Sequence, residues 1–223
     1  GAGEGLARLP AHCERGEDVR AALEYLAELH PESPVYAVGF SMGGMLILNM
    51  LADVGDMQVG GLVNALAIGP PIDLFDVERH FDLPSGRIYE KFFVKLLWRQ
   101  ALRRWSLFPE LRPKRVPRRP SRLRRIDEMV IAPGGGFDSA DQYYAAAQPG
   151  PKLTRIERPV TIVAAADDPV VPTPPLEQYA CSDAVERVVI PRGGHLGFVG
   201  RKGTDRDRRW LDHAINAATG NAS

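Results

Sequence analysis

The sequence predicts an α/β fold built on a parallel sheet, and three observations support this prediction. Short runs of β-branched and aromatic residues alternate with segments whose apolar residues have helical spacing. The strand-like runs are almost continuously apolar, as strands buried on both faces of a parallel sheet are. The 223 residues, 44% apolar and 25% charged, have the composition of a globular protein. We therefore expect helices on both faces of the sheet.

The predicted elements follow one another along the chain. A helix over residues 17–30 ends before Pro31, and a strand over 34–40 follows it. An apolar helix covers 45–54. The other predicted strands are 61–69, 159–167 and 187–191, and a closing amphipathic helix covers 207–218.

Residues 72–150 interrupt this alternation. Within them, a segment over 87–105 has helical spacing, with its apolar side predicted at Phe92, Leu96, Leu97 and Trp105. A proline-rich stretch from Arg99 to Arg125 then carries eleven Lys and Arg residues and one acidic residue, Glu110. Long connections between strands are often lids or binding loops. The basic stretch is interpreted first as a solvated surface and alternatively as a site that docks on an anionic membrane or on nucleic acid.

Composition excludes several classes of function. With 28 basic and 28 acidic residues, the chain cannot bind nucleic acid through overall positive charge. No apolar run reaches the length of a membrane-spanning helix. The two cysteines, Cys13 and Cys181, are too few for a disulfide framework or a multi-thiolate zinc site, and a reducing compartment is the simplest interpretation. We therefore expect a cytoplasmic protein, with peripheral membrane contact as an alternative, and we expect neither a metal nor a cofactor. A dehydrogenase is disfavoured because no G-x-G-x-x-G follows a first strand.

The clearest chemical motif is G-x-S-x-G at residues 39–43, between a predicted strand and a predicted helix. In a nucleophile elbow, the serine lies on a strained turn at the carboxyl end of the sheet. We expect glycine to be required at positions 39 and 43, because a side chain at either position would keep strand and helix from approaching closely. Ser41 is the predicted nucleophile, and the backbone N–H of Met42 is the predicted oxyanion donor.

A serine nucleophile needs a base and an acid that orients the base, and both candidates follow later strands. Asp167 is the last residue of the predicted strand over 159–167 and Asp168 is the next residue, while His195 follows the strand over 187–191 after two glycines. Taken alone, the aspartates could form a turn and His195 could be incidental to a loop. The order Ser, Asp, His and the common sheet edge favour a triad. We predict Asp168 as the acid, because the Asp167 carboxylate should point the other way.

Several segments resemble the YheT-like branch of the α/β-hydrolase superfamily of esterases and lipases. The segments that resemble it are VYAVGFSMGGMLILNML (35–51), GPPIDL (69–74), FDSADQYYAAA (137–147), ADDPVVP (166–172) and GGHLGFVG (193–200). The resemblance implies Ser41, Asp168 and His195 as nucleophile, acid and base. It also implies that 1–74 and 151–223 form the hydrolase core and that 75–150 form a cap over the acyl pocket. Tyr143 and Tyr144 are expected to pack in the core.

The resemblance also predicts an amino-terminal part of the fold, with a His-Gly loop that supplies a second oxyanion donor. No such loop precedes Ser41, and the sequence opens with Gly1. The expectation from sequence is therefore a fragment that lacks the amino-terminal strands. Loss of one oxyanion donor lowers turnover by about 10²–10³.

Three functional hypotheses follow from these features. The first is a serine hydrolase that cleaves carboxylic esters, with short- to medium-chain acyl groups or lipid esters as substrates. Acyl transfer from the same acyl-enzyme to an alcohol is a variant of this hypothesis. The second is a truncated or catalytically impaired homologue that binds a lipid or a partner. The third is a basic segment that docks on an anionic membrane or on nucleic acid.

Overall fold

A computed structural model describes residues 6–200 and 208–219. Its strands are β1 (Val35–Phe40), β2 (Leu62–Ile68), β3 (Val160–Ala165) and β4 (Val185–Ile190). Its α-helices are α1 (Gly16–Leu29), α2 (Met42–Val54), α3 (Leu74–His80), α4 (Pro84–Leu107), α5 (Leu123–Ile126), α6 (Ala132–Gly135), α7 (Ala140–Ala147), α8 (Pro174–Gln178) and α9 (Trp210–Ala218). A π-helical turn covers Asp127–Ile131, and 3₁₀ turns cover Pro109–Leu111 and Gly150–Arg155.

The described strands form one parallel sheet in the order β1-β2-β3-β4. Each predicted strand is present, with its ends shifted by at most two residues. All strands point the same way, so their carboxyl ends meet at one edge, which is where ligands bind in open α/β sheets.

Alternate residues of the strands enter two hydrophobic clusters on the two faces of the sheet. On one face, Ile162 and Ala164 of β3 belong to the cluster that contains Leu23 of α1 and Leu48 of α2. On the other, Val163 and Ala165 pack with Phe198, against which residues of α9 lie. Burial on both faces explains why these strands are apolar throughout.

The chain divides into two compact units. The sheet unit consists of Cys13–Val77 and Ala147–Ser223, and the helical unit consists of Gly1–His12 and Glu78–Ala146. The expected role of residues 75–150 as a cap over the acyl pocket stays a prediction. None of the described helices is both long enough and apolar enough to cross a membrane.

The buried side of α4 differs from the predicted one. Val94, Trp98, Ala101 and Trp105 are buried, whereas the Phe92 and Leu96 side chains are exposed. The prediction is therefore correct for Trp105 and for Leu97, which is partly buried against this cluster, and wrong for Phe92 and Leu96. The helix carries two apolar stripes, and the buried one contains the two tryptophans, which are its largest side chains. Their rings stack edge to face with centroids 5.6 Å apart, an arrangement that favours this side further.

Three arginines of the basic stretch hold the helical unit together. Arg104 donates to the carbonyl oxygens of residues 7–9, at distances of 2.6–3.2 Å. Arg122 donates to the buried carboxylate of Glu90, and Arg124 forms an ion pair with Glu78. The other eight basic residues from Arg99 to Arg125 are exposed. Three of the eleven basic residues in this stretch thus make contacts within the helical unit, and eight face solvent.

A buried carboxyl group in the helical unit should make its stability depend on pH. Burial raises the pKa of Asp127 to about 7, although the Tyr144 hydroxyl donates a 2.6 Å hydrogen bond to Oδ2. Glu78 and Glu128 raise this pKa further, and Arg124 lowers it. Between about pH 4 and 7, the unfolded chain has lost this proton and the folded chain keeps it, so rising pH destabilises the fold.

We therefore expect Asp127→Asn to gain stability relative to the wild type as pH rises from 4 to 7, because the amide stays neutral and still accepts from Tyr144. Urea unfolding across this pH range measures the difference between the two free energies of unfolding. Two parallel stability profiles would contradict a raised pKa at Asp127.

Candidate active site

Ser41 lies on a strained turn between β1 and α2. It is the residue before α2 and has φ 50° and ψ −115°, a left-handed backbone conformation that is unusual for a residue other than glycine. Its N–H donates to the carbonyl oxygen of Ile68 at 2.8 Å, which ties the turn to the end of β2. The turn therefore has the strain and position of a nucleophile elbow.

Only one of the two flanking glycines is required for close approach. A Cβ at Gly39 would lie 2.5 Å from the backbone carbonyl of Gly43, so a side chain there would force strand and helix apart. A Cβ at Gly43 would meet no described atom within 4 Å. The expectation that both positions need glycine is thus correct for Gly39 and wrong for Gly43. At the close contact it is the backbone of Gly43, and not its missing side chain, that lies against Gly39.

The predicted triad residues are brought together in the sheet unit. Nε2 of His195 lies 2.9 Å from Oγ of Ser41, and Nδ1 of His195 lies 2.8 Å from Oδ2 of Asp168. The Asp168 side chain is 2% exposed and that of His195 is 15% exposed. The three residues come from the ends of β1, β3 and β4, so the parallel sheet delivers them to one edge.

The two neighbouring aspartates have different partners. Oδ1 of Asp168 accepts from the N–H groups of Val170 and Val171 at 2.8 and 2.9 Å, which leaves Oδ2 for the imidazole. Asp167 is exposed and accepts instead from the N–H groups of Gly193 and Gly194. The Asp168 carboxylate is therefore held by backbone donors in an orientation that suits an acid of a triad.

Gly69 lets the histidine approach the end of β2. This residue has φ 56°, and a Cβ added to it would lie 2.9 Å from the carbonyl oxygen of His195 and 3.4 Å from Nδ1. Sequence reasoning did not assign this position a role, although it begins the GPPIDL segment. A glycine directly after a strand was the signal that could have found it.

The first turn of α2 begins beside Ser41, and its N–H groups have no partner within the helix. Met42 is the first residue of α2, so its backbone N–H has no acceptor within the helix and can donate to another group. Its role as an oxyanion donor stays a prediction. The large apolar side chains of Phe40, Met42 and Leu196, each next to a triad residue in sequence, are exposed.

The remaining candidates from the sequence lie elsewhere. Tyr143 and Tyr144 are each 5% exposed, which confirms that they pack in the interior of the helical unit. His12 lies in the same unit, with its ring edge to face against Phe137. His213 lies on the exposed side of α9.

Comparison with known proteins identifies relatives across most of the chain. The YheT protein of Escherichia coli (strain K12) is 30% identical in an alignment of 213 residues that covers 92% of this chain and 60% of that protein. Phospholipase ABHD3 of Mus musculus is 27% identical over 84% of this chain and 46% of its own length. Medium-chain fatty acid ethyl ester synthase/esterase 2 of Saccharomyces cerevisiae (strain ATCC 204508 / S288c) is 28% identical over 89% of this chain and 48% of its own length. The chain thus spans about half to three fifths of these relatives.

Solved structures with a similar backbone include two esterases. One from Pyrococcus furiosus aligns at 15% identity over 96% of this chain and 63% of its own, with a TM-score of 0.49. The esterase domain of a Rhodothermus marinus protein aligns at 17% identity over 100% of this chain and 69% of its own, with a TM-score of 0.49. The alpha/beta hydrolase fold family matches residues 9–201 of the sequence. With its strained serine turn and parallel sheet, this chain belongs to the alpha/beta hydrolase fold family.

Proposed function

We propose that the protein is a serine hydrolase that cleaves carboxylic esters through an acyl-enzyme. The observation that carries this proposal is a pair of hydrogen bonds made by the His195 ring. Its Nε2 lies 2.9 Å from Oγ of Ser41, and its Nδ1 lies 2.8 Å from Oδ2 of Asp168. A serine hydroxyl becomes a useful nucleophile when a neighbouring imidazole can take its proton. The esterases and phospholipase among the relatives support the same class of reaction.

In the proposed first step, Oγ of Ser41 attacks the ester carbonyl carbon while Nε2 of His195 takes the hydroxyl proton. The negative charge on the former carbonyl oxygen is stabilised by the N–H of Met42. The tetrahedral intermediate then collapses, the C–O bond to the alcohol breaks, and His195 returns the proton to the leaving oxygen. Water repeats the sequence on the acyl-enzyme and releases a carboxylic acid, while Asp168 stabilises the imidazolium throughout.

The surroundings of Ser41 favour an apolar acyl group. Phe40 is 43% exposed, Met42 44% and Leu196 40%, and all three are adjacent in sequence to a triad residue. Exposed apolar side chains beside a candidate active site are typical of a surface that a ligand covers. We therefore propose short- to medium-chain esters or lipid esters as the substrates.

Labelling with a fluorophosphonate tests the proposal directly, because an activated serine displaces fluoride from this probe and forms a phosphonate ester that mimics the tetrahedral intermediate. We expect one modified residue, Ser41, in peptide maps of the full-length protein, and no labelling of a His195→Ala variant. Failure to label a correctly folded protein that still binds lipid would instead favour the catalytically impaired homologue.

Acyl transfer to an alcohol is a second candidate for the fate of the acyl-enzyme. The yeast relative named as an ethyl ester synthase/esterase supports it. The chemistry differs only in whether water or an alcohol attacks the acyl carbon. Formation of ethyl esters in the presence of ethanol, measured against release of free acid, distinguishes the two.

We also propose that the basic stretch from Arg99 to Arg125 contacts anionic lipid surfaces. Eight of its eleven basic residues are exposed, and four prolines prevent the segment from folding into one continuous helix. Each basic residue near an anionic membrane contributes about 1 kcal/mol, and salt screens this attraction over about 8–10 Å.

Binding to phosphatidylserine vesicles should therefore weaken steeply with added salt, and binding to phosphatidylcholine vesicles should be weak throughout. Replacing Arg115, Arg118 and Arg119 by glutamine should reduce the first and leave the second unchanged, whereas Arg20→Gln in α1 should change neither. Equal binding to both kinds of vesicle would leave only a solvated surface.

A further inference from the structure

The loop that carries His195 is attached to the end of β3 through Asp167. One carboxylate oxygen, Oδ1, accepts from the N–H of Gly193 at 2.7 Å and from the N–H of Gly194 at 2.8 Å. Successive N–H groups that converge on one anion form a nest, and Gly194, at φ 62°, has the left-handed conformation that such a nest uses. Asp167 thus connects the ends of β3 and β4. It directly precedes the acid, Asp168, and its partner Gly194 directly precedes the base, His195.

The other end of the same loop is fixed by packing. Phe198 is 2% exposed, its N–H donates to the carbonyl oxygen of Gly193 at 2.8 Å, and its ring stacks on Trp210 with centroids 5.7 Å apart. Residues 193–198 therefore form a closed loop. His195 lies between an apolar anchor and a polar one.

The polar anchor is open to solvent. Asp167 is exposed, so its two hydrogen bonds to the loop compete with water. The two N–H donors lower the pKa of Asp167 below its usual range, which keeps the carboxylate charged over the pH range in which an imidazole can act as a base. Two charge-assisted bonds from adjacent amides can hold a glycine-rich loop that would otherwise sample many conformations.

We propose that Asp167 is a positioning residue that holds His195 in reach of Ser41 by accepting the N–H groups of Gly193 and Gly194. The inference rests on the proposed function, since it concerns the base of that reaction. Asp167 touches neither substrate nor imidazole in this role. Its effect passes through the loop backbone, and the neutral amide of asparagine, whose oxygen can accept the same two N–H groups, should preserve it.

Three variants test this role. Asp167→Ala removes both hydrogen bonds. Asp167→Asn keeps an acceptor oxygen and removes the charge. Asp183→Ala is the control, since it removes an exposed carboxylate just before β4. Amide hydrogen exchange of Gly193 and Gly194 reports on the anchor without reference to activity. Ester hydrolysis, as kcat and KM separately, reports on its consequence for the base.

We expect exchange at Gly193 and Gly194 to be at least about tenfold faster in Asp167→Ala and close to wild type in the other two variants. Turnover of Asp167→Ala should fall about 10- to 100-fold with KM within about twofold and an unchanged melting temperature, since small displacements of a reacting group cost this much. Asp167→Asn should retain kcat within about threefold of wild type.

Unchanged exchange in Asp167→Ala would overturn the proposal, as would equal losses of turnover in the alanine and asparagine variants. A protein with no esterase activity in any variant, but with accelerated exchange in Asp167→Ala alone, would show that the anchor exists and that the proposed function is wrong. The exchange measurement therefore separates the failure of one proposal from the failure of the other.

Discussion

Replacing Ser41 by alanine should lower kcat for the hydrolysis of p-nitrophenyl esters by about 10⁶-fold in the full-length protein, to the level of the uncatalysed background plus binding effects. The alanine side chain cannot form the acyl-enzyme, and His195 at 2.9 Å then has no hydroxyl to deprotonate. The residual rate would come from substrate binding and the oxyanion donor alone.

The fold should survive this change, because Ser41 is only partly buried and its backbone N–H keeps its bond to Ile68. Ser121→Ala, at an exposed position of the helical unit, is the matched control and should have wild-type turnover. A Ser41→Ala protein that hydrolyses the ester within a few-fold of wild type would contradict the assignment of the nucleophile.

The residues of the candidate site could be identified from the sequence because they lie at or just beyond the ends of strands. A strand, a G-x-S-x-G turn and a helix are contiguous in residues 35–54, and Asp168 lies three residues after the end of an almost continuously apolar strand, β3. Once the strands are known to be parallel, their carboxyl ends must share one edge. The sheet therefore brings Ser41 and His195 together although 154 residues separate them.

Other features depend on tertiary contacts that no local pattern encodes. The roles of Gly69 and Asp167 arise from their proximity to the His195 loop, which packs on them from another strand end. Likewise, α4 has two apolar stripes of similar character, and only the packing of Trp98 and Trp105 decides which one is buried. Periodicity identifies such a helix but does not select between its faces.

Replacing Asp168 by asparagine should reduce kcat by about 10³–10⁴-fold, even though the two side chains have the same shape. Val170 and Val171 both donate backbone N–H groups to Oδ1 and so require an acceptor there. The asparagine oxygen must occupy that position, which turns its NH₂ group toward Nδ1 of His195. An imidazole that accepts at Nδ1 carries its proton on Nε2, and it then cannot take the proton of Ser41.

The neighbouring aspartate provides a control of identical chemistry one residue away. In Asp167→Asn the amide oxygen can still accept from Gly193 and Gly194, so kcat should stay within about threefold of wild type. Steady-state kinetics on both variants, with melting temperatures to show that each is folded, measure the contrast. If Asp167→Asn were the more damaging substitution, the acid would be Asp167, and the 2.8 Å bond between Asp168 and His195 would have no catalytic role.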